Sequence, residues 1–136
     1  MSKPTFIDTS YVLALLNTHD KYHRQAQNLA SEIDSKLLTT EAILTEIGNA
    51  LAKLKWRELA VSTLDDIRGD EDIEILSVNS TLFTKALNLY ASRMDKTWGL
   101  TDCISFIVMK EKALTEALTA DHHFEQAGFK ALLIRD

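Results

Sequence analysis

Two kinds of apolar run alternate along this chain. Short runs without strict polar alternation occur around Phe6 and in "KLLTT", "IEILSV", "EALTA" and "ALLI", as expected of strands buried on both faces. Between them, apolar residues recur at helical spacing. The pattern predicts a strand over about 4–8, a helix through Asn17, and helical spacing again from Tyr22 to Ile33. After "KLLTT", residues Ile43, Ile47, Ala50, Leu51 and Leu54 mark one face of a helix over about 41–55, and another helix covers about 57–68. "RGDED" reads as a turn and "IEILSV" as a strand. Ser80 is then the expected N-cap of a helix from Thr81 to about Met94, with Leu82, Ala86, Leu89 and Tyr90 inward. A "DKTWG" loop precedes the helix "LTDCISFIVMKEK". The strand "EALTA", a short helix "HHFEQAG" closed by Gly128, and a final strand "ALLI" complete the chain. Strands alternating with helices predict an α/β sandwich, a parallel sheet covered on both faces.

Composition narrows the class. The 136 residues are 46% hydrophobic, enough for one domain spanning 1–136, and four Gly and one Pro mark no linker or disordered tail. No apolar run approaches the roughly 18 residues of a membrane span, and no signal-peptide pattern opens the chain, so a soluble, cytoplasmic protein is expected. The single cysteine, Cys103, excludes an internal disulfide framework and a cysteine-based metal site, and is expected in the core. Fifteen Lys and Arg against 20 Asp and Glu give a net charge of -5. That sign argues against holding nucleic acid by bulk electrostatics. It leaves room for an acidic site in which divalent metals neutralise a polyanion.

Charge placement sharpens the picture. In "FIDTSYVLALL", Asp8 stands between two apolar runs, where a carboxylate needs a partner, a metal or a proton. Helix capping is one reading. The other emerges from three more acids: Asp121 follows the strand "EALTA", Asp102 opens the helix "TDCISFIVM", and Glu46 borders the apolar stripe of its helix. Sites in open parallel sheets form beyond the carboxyl ends of the strands. Four carboxylates gathered there would repel one another and demand cations. Oxygen ligands suit Mg²⁺ or Mn²⁺ better than zinc, and such ions commonly serve phosphodiester cleavage.

These segments also carry a family resemblance. "FIDTSYVLALL", Glu46 within "TTEAILTEIGNAL", "WGLTDCISFIVMKE" and "ALTADHHFEQAGF" resemble, in order and spacing, the PIN-domain ribonucleases, in particular the VapC-like toxins of type II toxin–antitoxin pairs. The likeness covers nearly the whole chain. It implies a Rossmann-like, three-layer α/β/α sandwich with a central parallel sheet, and Mg²⁺- or Mn²⁺-dependent endoribonuclease activity. The family's four acids fall on Asp8, Glu46, Asp102 and Asp121, as catalytic residues and metal ligands. Its hydroxyl near the first acid falls on Thr9 or Ser10, and Thr101 matches the Thr before the third acid; helix capping is an equal alternative for these hydroxyls. An RNA substrate, a homodimer and a small antitoxin partner are implied with them.

Other residues invite chemistry less strongly. Adjacent His122 and His123 diverge on a helix, so one is expected at the cleft rim and the other in solvent. His19 and His23 are spaced i,i+4 across an expected turn. Trp98 is expected to pack, with base stacking the alternative. Lys21, Arg24, Lys53, Lys55 and Arg57 are either RNA contacts or a solvated face. A haloacid-dehalogenase phosphatase would need an acid at Ser10, and a receiver domain an Asp at Asn79. The remaining alternatives are a non-catalytic PIN-fold binding module and a solitary PIN nuclease in RNA processing.

Overall fold

Every strand runs parallel to its neighbours. The computed structural model describes residues 3–134, in which β1 (Thr5–Ile7), β2 (Leu37–Thr40), β3 (Ile73–Leu76), β4 (Glu116–Leu118) and β5 (Lys130–Ala131) form one sheet in the order β3-β2-β1-β4-β5. The helices among the described residues are α1 (Thr9–Leu16), α2 (His23–Glu32), α3 (Glu41–Ala50), α4 (Leu54–Gly69), α5 (Ser80–Ser92), α6 (Leu100–Glu111) and α7 (His122–Gln126). Thr5, Phe6 and Ile7 are all buried. Successive strand residues point to opposite faces, so the central strand is covered on both, as expected of an α/β sandwich.

Strand order places a crevice. From β1 the chain builds β2 and β3 on one side, then crosses to place β4 and β5 on the other. The order reverses between β1 and β4, which pair Phe6 with Ala117 and Ile7 with Leu118. Beyond the carboxyl ends of such strands lies the crevice typical of open α/β sheets.

An aromatic chain fixes the elements around it. Trp98 and Phe106 meet edge to face at 5.0 Å between centroids, as do Phe106 and Phe124, and Phe124 packs on Phe6 at 6.3 Å. Such pairs add roughly 0.5–1.5 kcal/mol beyond area burial. They tie α6 and the five-residue α7 to the central strand. Cys103 is fully buried in the same core.

Four expectations require correction. Tyr90, expected to face inward on α5, is 47% exposed. The helix predicted over about 41–55 stops at Ala50, and α4 starts at Leu54 rather than near 57. Lys53 takes an extended conformation between them and the Arg57 guanidinium donates to the Ala52 carbonyl at 2.8 Å, so Leu54 is 89% exposed instead of lying on the inner face of α3. The N-cap of α5 is Asn79, whose Oδ1 accepts from the Leu82 N–H at 2.8 Å. Asn rivals Ser at this position, and Ser80 becomes the first helical residue. Strand pairing at the end is confined to Lys130–Ala131. Leu132 and Leu133 lie in a turn yet are buried, so burial rather than extension explains their apolar character.

The turns after α6 and α7 share one geometry with different residues. Gly128 closes α7 at φ 97°, and the Phe129 N–H returns to the Phe124 carbonyl at 3.0 Å. After α6 the same left-handed position falls on Ala113, at φ 57°, with Leu114 N–H returning to the Met109 carbonyl at 2.8 Å. A Cβ is costly there. Ala113→Gly is therefore expected to raise the unfolding free energy by about 0.5 kcal/mol in urea denaturation, after offsetting glycine's extra unfolded-state entropy.

Candidate active site

Asp8 ends β1 in the N-cap position of α1, yet its side chain makes no capping hydrogen bond. Its Oδ2 instead accepts from the Thr119 hydroxyl at 2.6 Å and the Ser10 hydroxyl at 3.0 Å. The capping reading of Asp8 therefore fails. The carboxylate is 5% exposed, and burial pushes its pKa up to about 6, against the pull of its hydroxyl partners; the charge of Asp102 pushes the same way.

Both hydroxyl partners are themselves held. Ser10 Oγ accepts from the Ala120 N–H at 2.9 Å, and Thr119 Oγ1 accepts from the Asp121 N–H at 3.0 Å. Each can then donate its only proton to Asp8. Thr119 thus links the ends of β1 and β4 and joins two of the acids. It was missed in the sequence; its buried position two residues before Asp121 is the signal that was available.

The remaining acids approach from three helices. Glu46, half-buried on α3, accepts from the Thr9 hydroxyl at 2.7 Å, which sets it against the first turn of α1. Asp102, in the first turn of α6, accepts from the Gly99 N–H at 3.0 Å. Asp121 caps α7 by accepting from the His123 N–H at 2.9 Å. For Asp102 and Asp121, capping and a place at the crevice hold together. Burial raises the Asp102 pKa, and the charges of Asp121 and Glu46 raise it further, while Gly99 and His123 pull it down. Asp102 is thus electrically coupled to the other three acids. Thr101, half-buried beside it, makes no hydrogen bond to a carboxylate among the described residues.

Compensating cations are missing from this cluster. Among the described residues, the ion pairs of Lys and Arg engage Asp72, Glu111, Asp95 and Glu116, and none engages Asp8, Glu46, Asp102 or Asp121. The nearest basic group is His123, whose Nδ1 lies 3.1 Å from Asp121 Oδ1 and 3.4 Å from Asp102 Oδ2. His122 is 67% exposed with Nδ1 at 3.8 Å from Asp121. One histidine at the rim and one in solvent matches expectation, although the two rings and Asp121 stand closer than helical divergence suggested, with ligand atoms all within 4.8 Å.

Other candidates find different partners. Trp98 is 6% exposed, with its Nε1 donating to Gln126 at 2.9 Å and Arg93 over its ring, so it packs. His23 Nδ1 contacts the Ala14 carbonyl at 2.7 Å. Lys21 and Lys55 lie over the neighbouring Tyr22 and Trp56 rings.

Comparison with known proteins identifies relatives of this chain. The 23S rRNA-specific endonuclease VapC20 of Mycobacterium tuberculosis, in strains CDC 1551 / Oshkosh and ATCC 25618 / H37Rv, is 27% identical over 124 residues, covering 91% of this chain and 94% of the relative. The crystal structure of M. tuberculosis VapC20, described as a Sarcin-Ricin loop cleaving toxin, superposes with a TM-score of 0.85 at 26% identity, covering 92% of this chain and 95% of that one. VapBC2 from Rickettsia felis, crystallised bound to a DNA fragment from its promoter, shares the fold at a TM-score of 0.66 and 17% identity, with coverage of 93% and 96%. The PIN domain family profile matches residues 5–130, from the first residue of β1 to the first of β5. Matched over all but its ends, this chain belongs to the PIN domain family.

Proposed function

We propose that this chain is a divalent-metal-dependent endoribonuclease and the toxin of a type II toxin–antitoxin pair, acting in the cytoplasm. One observation supports the reading: the charges of Asp8, Glu46 and Asp121 are each linked to that of Asp102 near the sheet's switch point, and among the described residues none of the four has a Lys or Arg ion partner. Like charges so placed are stable as anions only with cations bound. The donor set fits Mg²⁺ or Mn²⁺, since all four acids offer oxygen ligands. The 23S rRNA specificity of the VapC20 relatives makes that RNA the first substrate to offer this protein.

Asp8, Glu46, Asp102 and Asp121 would hold the metal. Bound there, a divalent ion supplies an activated water and neutralises charge on the phosphate. The chain's own work is to fix the four carboxylates before RNA arrives, which spares reorganisation during reaction. Thr119 and Ser10 hold Asp8, Thr9 holds Glu46, Gly99 holds Asp102, and the His123 N–H holds Asp121. Thr9→Val is accordingly expected to weaken Mg²⁺ or Mn²⁺ binding about 10-fold in calorimetry, by freeing Glu46.

Partners follow from the same family. Exposed Leu54, Trp56 and Val61 on α4, and Phe83, Leu87 and Tyr90 on α5 with Met94 just beyond it, offer apolar surface for an antitoxin and a second copy of the chain. Among the described residues no helix is long and apolar enough to cross a membrane. Asp102→Asn, checked for folding by circular dichroism, tests the nuclease assignment. Loss of metal-dependent RNA cleavage supports it, and full activity sinks it.

A further inference from the structure

The tip of the α3–α4 hairpin reverses the sign of this acidic chain. From Ile47 to Arg57 there is no acid, while Lys53, Lys55 and Arg57 bring three cations to a protein of net charge -5. Every residue from Ala52 to Glu58 is exposed. Among the described residues none of these cations has an ion partner, and α4 carries no acid in its first turn to offset them. Acids return along the helix at Glu58, Asp65 and Asp66, which confines the positive charge to the tip.

Element lengths put this tip on the same side of the sheet as the crevice. α3 leaves the carboxyl end of β2, and α4 returns to the amino end of the parallel strand β3. At 1.5 Å per residue the 16 residues of α4 span about 24 Å, against about 13 Å for the 4 residues of β3, so the hairpin stands roughly 10 Å past the carboxyl ends of the strands. Glu46 lies on α3, between the sheet and the tip.

The side chains there suit a single strand of RNA. Lys55 Nζ stands 5.0 Å from the centre of the Trp56 ring, which is 43% exposed. Aromatic rings set among cations bind single strands by stacking bases while the cations meet phosphates. Arg57 uses one N–H on the Ala52 carbonyl, which fixes the turn, and its guanidinium has further donors for phosphate.

We propose that the α3–α4 tip is an RNA-binding element outside the acidic crevice: Trp56 stacks a nucleobase of the strand flanking the scissile phosphate, and Lys53, Lys55 and Arg57 hold its phosphates. The assignment rests on reading the chain as a ribonuclease and adds how an acidic protein holds a polyanionic substrate. A protein partner seated here would have to cover three unpaired cations, so the charges single out RNA for the tip.

Fluorescence anisotropy of a labelled single-stranded RNA with the full chain, in chelator so that no cleavage competes, tests this across a salt series. Trp56→Ala is expected to weaken binding about 10-fold. Lys53→Gln combined with Lys55→Gln is expected to lower the slope of log affinity against log salt by about 1.4, at roughly 0.7 per phosphate contact on a single strand. Arg57 is left in place because it also holds the turn. Lys36→Gln, at the amino end of the sheet, is expected to keep wild-type affinity and slope. Wild-type binding in Trp56→Ala, a wild-type slope in the lysine variant, or an equal fall in slope for Lys36→Gln would overturn the proposal alone. So would a Trp56→Ala protein that keeps its RNA affinity and loses self-association in sedimentation, which would assign the tip to a protein partner. Wild type that neither binds nor cleaves RNA, with or without Mg²⁺ or Mn²⁺, would overturn the proposal together with the ribonuclease reading.

Discussion

Asp8→Asn is expected to cut RNA cleavage by at least about 100-fold while making the metal-free protein more stable at neutral pH. The first effect follows from removing a charged metal ligand, since losing even an outer partner typically costs 10–100-fold. The second follows from burial. Asp8 has its pKa raised from 3.8 to about 6 in the folded protein. The folded state therefore binds the proton more tightly than the unfolded chain, so the stability this group contributes is fully present below about 3.8 and is lost as pH rises through about 6. The loss amounts to about 3 kcal/mol at pH 8, on the order of 10 °C in midpoint for a chain of this size.

Asparagine does not ionise. Its oxygen can keep the hydrogen bonds from Thr119 and Ser10, and the stability gap to wild type should open between pH 4 and pH 8 and narrow when Mg²⁺ or Mn²⁺ is added. Thermal melts of both proteins across that range, with and without metal, measure it. A gap that does not depend on pH would show that Asp8 is not held as an uncompensated buried acid.

Thr119→Val has the second largest expected effect, and it separates positioning from bulk. Valine preserves the shape but removes a hydroxyl that donates to Asp8 at 2.6 Å and accepts from the Asp121 N–H at 3.0 Å. The buried N–H loses its acceptor and the carboxylate a donor, at a cost of about 1–3 kcal/mol in denaturant unfolding. Metal affinity should fall roughly 10–100-fold because two ligands lose their anchor. Thr119→Ser, which keeps the hydroxyl, should recover most of that affinity. Equal metal binding in the valine variant would reduce Thr119 to a core residue.

These two residues mark the limits of what the sequence discloses. The parallel sheet was legible because β1 is buried on both faces and so carries no polar alternation, and the α7 stop was legible because only glycine enters φ 97° without strain. The four acids stood out in the sequence through their places at two strand ends, one helix start and the edge of one helix's apolar stripe. Thr119 was not, because its partner Asp8 is 111 residues away in the chain and no local pattern encodes a hydrogen bond across two strand ends. The approach of His123 to Asp102 and Asp121 is not legible either, because helical divergence describes a regular helix and His123 lies in the first turn of a five-residue one beginning right after Asp121. The break at 51–53 depended on a single extended residue, Lys53, between two amphipathic segments whose apolar spacing runs on across it.

The claim at the centre is that the carboxylates at the β1/β4 switch point cleave RNA only when loaded with a divalent ion. Its most direct measurement is end-mapped cleavage of 23S rRNA and a pool of structured cellular RNAs, with Mg²⁺ or Mn²⁺, with chelator, and with metal restored after chelation. Discrete fragments that appear with metal, vanish with chelator, return on restoration and are absent for Asp8→Asn are the predicted result. Fragments that survive chelation, or that Asp8→Asn produces as fast as wild type, would contradict it.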